Sequence, residues 1–142
     1  MWFGQAMLLV LINAASLFGI SGYAFRYGGA AERYCAAILI IGSLASLAIV
    51  KAFHNHWHPA SYYLLAVDGT ALLALIAIAL RSNRFWPIYA AAFQVPEVAT
   101  HVATMVDPMI VPRAYALAQG FWIYPMLIAL LIGTAGCRRR QR

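Results

Sequence analysis

The chain has 142 residues, of which 64% are hydrophobic and 10% charged, with a formal net charge of +6. Soluble domains carry about 25% charged residues, and no soluble fold of this length hides so much apolar surface. The composition therefore excludes a water-soluble enzyme or binding module and predicts an all-α, polytopic membrane protein, one domain over residues 1–142.

Apolar stretches of roughly 20 residues cross a bilayer. Five such stretches follow in order, predicting transmembrane helices at 3–23, 34–53, 60–80, 85–106 and 114–135. The first, "MWFGQAMLLVLINAASLFGI", lacks the basic n-region and small-residue cleavage site of a signal peptide, so a retained helix is expected, with Asn13 in its middle. In the second, Gly42 and Ser46 form a small-xxx-small step that permits close helix contact, within the chain or between copies.

"HNHWHP" follows, with His54, His56 and His58 at alternate positions. In an extended segment three imidazoles project to one side, a donor set that suits zinc or copper. His101 would be a fourth ligand. Haem held between His101 and one of these histidines is a second cofactor reading. The plain alternative is an interfacial loop in which His and Trp simply sit at the membrane boundary, and no HExxH motif supports a metal.

The third helix carries Asp68 above a wholly apolar half, "LLALIAIAL". In the fourth, Gln94, Glu97, His101 and Thr104 recur at steps of three, four and three, which is one helix face. Glu97 and His101 stand four apart, close enough to meet. Pro96 leaves the carbonyl of Ala92 without its helical donor, and a freed carbonyl inside a membrane must find another donor or line a cavity. Glu32 and Asp107 are assigned to loops. The fifth helix presents Tyr115, Gln119, Trp122 and Met126 as a stripe and ends in a basic tail, "CRRRQR".

Eight basic residues, Arg26, Arg33, Arg81, Arg84, Arg138, Arg139, Arg140 and Arg142, fall on one side, against Lys51 and Arg113 on the other. The positive-inside rule puts the N-terminus outside and the C-terminus in the cytoplasm, most simply of a bacterial inner membrane. Cys35 and Cys137 then lie near the reducing face. Trp2, Trp57, Tyr62, Tyr63, Phe85 and Trp86 are expected in the interfacial aromatic belts.

At a rise of about 1.5 Å per residue, Asp68 lies roughly 12 Å from the outer surface, Glu97 and Asn13 roughly 15 Å, and His101 and Gln119 roughly 8–9 Å. Asn13, Asp68, Gln94, Glu97, His101 and Gln119 are thus expected to line one outward-facing polar pocket beneath the histidines.

The run from "RSNRFWPIYAAAFQ" through "THVATMVDP" to "AYALAQGFWIYPMLIALLIGT" resembles small uncharacterised inner-membrane proteins of bacteria, in the C-terminal half only. The resemblance includes Gln94, His101, Asp107, Pro108 and Tyr124, and it implies no activity. The leading expectation is a non-catalytic membrane protein that binds a ligand, an ion or a partner subunit through the polar pocket, as an accessory subunit of a larger complex or a homo-oligomer. Its partners are the lipid bilayer and other membrane subunits, not nucleic acid. The alternatives are a metal- or haem-dependent membrane enzyme or redox subunit and a holin-like pore-former.

Overall fold

Two glycines separate the first two helices, and the first has no room for a side chain. The Gly28 amide still bonds to the Ala24 carbonyl at 2.8 Å. A Cβ there would stand 2.4 Å from that carbonyl oxygen and 2.6 Å from Glu32 Cβ, so only glycine fits. Gly29 is the extended N-cap of the second helix. The carboxylate of Glu32, three residues on, accepts the Gly29 amide at 3.0 Å, the half of a capping box that a glycine N-cap allows.

The computed structural model describes the backbone of residues 2–53, 57–107 and 112–141 and the side chains of 7–53, 61–107 and 120–141. The five helices are α1 Trp2–Tyr27, α2 Ala30–Ala52, α3 Trp57–Arg81, α4 Trp86–Val106 and α5 Pro112–Arg140. Most are longer than their apolar cores. Because of the Gly29 cap, α2 starts earlier than expected, and Glu32 belongs to its first turn rather than to a loop. The arginines of the expected tail, Arg138, Arg139 and Arg140, form the last turn of α5, where cations complement the helix dipole. Trp57 and His58 lie in the first turn of α3, so the histidine segment is not extended throughout.

Each helix packs on the next in sequence, α1 closes on α5, and α2 also touches α5. The result is an up-and-down ring of helices. Its core includes Leu17, Ala36, Leu75, Leu127 and Leu130. Leu8, Phe18, Ile41, Leu73, Leu80 and Ile132 face outward, an exterior that suits hydrocarbon and not water. Four helices hold segments long and apolar enough to cross a membrane: Met7–Tyr27, Ala30–Ala52, Ser61–Arg81 and Gly120–Arg140. The chain is a membrane protein on that ground. α4 is not one of the four; Gln94, Glu97, Thr100, His101 and Thr104 lower its hydropathy.

Two local expectations change. A Cβ at Gly42 would meet nothing within 4 Å, so the small-xxx-small step makes no close contact inside the chain. Trp86 does not sit in an aromatic belt. It is buried, and a Cβ on Gly133 would stand 2.6 Å from its indole. Gly133 therefore lets α5 pass directly over the ring.

Candidate functional site

α4 turns one stripe inward: Trp86, Ala90, Gln94, Glu97 and His101, at helical spacing. The stripe is apolar near the start of α4 and polar towards its end. Gln94 and His101 are buried, and Glu97 is half-buried.

α3 runs antiparallel beside α4 and delivers Asp68 to this stripe. His101 Nε2 and Asp68 Oδ2 are 2.6 Å apart, with His101 wholly buried and Asp68 only 6% exposed. The levels match. Asp68 lies roughly 20 Å from Arg81 along α3, and His101 roughly 22 Å from Trp86 along α4. A buried ionisable group is costly unless paired, and here each is the other's partner. A carboxylate and an imidazole at this distance form one short hydrogen bond. Glu97 adds a second carboxylate one turn before His101 on the same helix.

α4 continues through Pro96 without a break. The Thr100 hydroxyl donates to the Pro96 carbonyl at 2.6 Å, and the Thr104 hydroxyl donates to the His101 carbonyl at 2.8 Å. Thr104 shares the face of His101, but its hydroxyl is engaged by its own helix. Asn13 faces α5: its Nδ2 lies 3.9 Å from where a Cβ on Gly120 would be. Among the described residues its buried Oδ1 has no hydrogen-bond partner. The structure thus joins Asp68 to His101, keeps Gln94 and Glu97 on their stripe, and sets Asn13 at the α1–α5 contact. The side chains of Gln119, His54, His56 and His58 lie outside the described residues. Among the described residues, no group of three His, Cys, Asp or Glu side chains is placed to hold a metal.

The other end of the bundle holds a second buried charge, which sequence reasoning missed. Glu32, 1% exposed, accepts hydrogen bonds from the Arg84 guanidinium and from Trp86 Nε1, the latter at 3.1 Å. One carboxylate thereby ties the start of α2 to the α3–α4 connection and to the start of α4. Cys137 of α5 stands close by, with Sγ 3.6 Å from a Cβ built on Gly29. The Cys137 side chain, and then the Glu32 carboxylate, raise the Arg84 pKa against partial desolvation, so the guanidinium stays charged. Arg138 lies over the Tyr27 ring, 4.5 Å from its centroid. The signal for this clamp was a glutamate three residues after a Gly–Gly pair.

Two cavities among the described residues lie at this same end. One, of about 300 Å³, is beside Tyr23, Ala135 and Arg138. The larger, of about 530 Å³, is a groove between α2 and α3.

No family model matches the chain, and neither a curated protein nor a solved structure matches it.

Proposed function

We propose that the chain is a small integral membrane protein that binds an ion, a polar ligand or a partner subunit through the Asp68–Glu97–His101 site, with the proton as the ion that site handles most directly. The observation that carries this reading is the buried 2.6 Å contact between Asp68 and His101. Ionisable groups held inside a membrane bundle are costly and mark ion paths or ligand sites more often than plain packing. Carboxylates around an imidazole give proton donors and acceptors suited to acid–base exchange.

In this reading α4 spans too. Its 21 residues are about 31 Å long, and its polar stripe is turned against α3 and α5. The N-terminus is outside, the C-terminus is cytoplasmic, and the membrane is a bacterial inner membrane. Support comes from the arginine excess at one end. The site then opens towards the outside, and the chain serves as an accessory subunit.

Infrared difference spectra of the protein in vesicles, stepped between about pH 5 and 8, test the site. The expected signals are carboxyl and imidazole bands that disappear in Asp68→Asn and His101→Gln. Spectra without a titrating band that either variant removes would end this reading.

A carboxylate hydrogen-bonded to a histidine is also how proteins orient a metal-ligating imidazole. This supports a second reading, a metal- or haem-binding redox subunit that uses His101 with His54, His56 or His58. Metal content and a Soret band in protein purified without chelators separate the two.

A further inference from the structure

The groove between α2 and α3 exists because small side chains meet there. Ala30 on α2 and Ala74 and Ala77 on α3 line it, with Tyr34, leaving about 530 Å³ unfilled. Its walls are mainly apolar, and Arg81, which also lines it, is exposed. Arg81 is the last residue of the apolar span Ser61–Arg81, so it stands where hydrocarbon gives way to headgroups.

Nothing in the described structure neutralises this arginine. The chain has four acidic residues. Glu32 is buried and committed to Arg84 and Trp86. Asp68 and Glu97 lie well up the bundle, and Asp107 caps the far end of α4. An anion from outside the chain is the natural counterion, and the apolar groove leading to Arg81 suits an attached hydrocarbon tail.

The geometry points to a binding site for an anionic phospholipid, with one acyl chain in the α2–α3 groove and its phosphate on Arg81. The site is independent of the Asp68–His101 pair and requires only that the chain sits in a membrane.

Native mass spectrometry of the full chain, released from detergent with phosphatidylglycerol and phosphatidylcholine of matched chain length, reads the preference directly. About fivefold more phosphatidylglycerol should be retained, the factor that one arginine near an anionic headgroup supplies. Arg81→Gln should abolish the preference, and Ala74→Phe, which fills the groove, should lower retention of both lipids. Arg140→Gln removes the same charge away from the groove and should change nothing. Because Arg81 is exposed, its variant keeps the test valid even if Ala74→Phe folds poorly. Equal retention of the two lipids, or a preference that survives Arg81→Gln, overturns the proposal. Displacement of the lipid by glycerol phosphate at equal concentration shows a free-phosphate site and overturns it as well. A dimer that Ala74→Phe dissolves would assign the groove to a second copy instead.

Discussion

Glu32 is a carboxylate at 1% exposure with three donors on it: the Gly29 amide, the Arg84 guanidinium and the Trp86 indole. Removing one partner of such a pair is costly because it strands a buried charge, typically by about 3–5 kcal/mol. The two partners are not equivalent, since Arg84 is 27% exposed and Glu32 only 1%. Arg84→Gln strands the carboxylate and should cost about 3 kcal/mol or more of unfolding free energy. Glu32→Gln leaves a guanidinium that reaches water and should cost clearly less. Denaturant titration of both variants in mixed micelles checks the order, and a reversed order would contradict the clamp. Gly133→Ala should cost about 1–3 kcal/mol through overpacking against the Trp86 ring. Pairing it with Trp86→Ala in a double-mutant cycle should recover most of that loss. Glu32 could have been recognised from the sequence by its spacing from Gly29. Its donors could not, because Arg84 and Trp86 are more than fifty positions away.

α4 shows how far an element can be read in advance. The steps between Gln94, Glu97 and His101 revealed its inward stripe, since a helical period survives whatever packs on it. Thr104 shares the period, but its hydroxyl bonds to the His101 carbonyl, a local choice that spacing does not reveal. The polar stripe also explains why α4 alone falls outside the four apolar spans. An ionised group at a helix centre costs about 2.5–3.5 kcal/mol on insertion scales. Excised α4 placed in an insertion reporter should therefore enter the bilayer poorly, and Glu97→Leu should raise the inserted fraction severalfold. Insertion of wild-type α4 as efficient as that of α2 would show that its polar face carries no such penalty.

Cysteine labelling tests the proposed orientation of the bundle in the membrane. Cys35 and Cys137 are buried, so the native chain should resist a bulky maleimide and provide a quiet background. Asp107→Cys, at the end of α4, should be labelled in intact cells by a membrane-impermeant reagent. Arg140→Cys should be labelled only after permeabilisation. The opposite pattern would invert the topology, and labelling of both in intact cells would break it.

The order of amino acids alone settles that the chain is helical, how many helices it has, and which ends carry the arginines. Each of these rests on local composition and run length. It also placed Asp68 and His101 at similar depth, because helical rise is constant. Which side chains meet was decided by the folded chain. In a membrane the outside and the inside of a bundle are both apolar, so hydrophobicity hardly marks the face that packs. Asp68 found His101, Glu32 found Arg84, and Trp86 went under Gly133 because the helices closed into a ring. Those pairings come from rotation and contact between helices that no single stretch of the chain encodes.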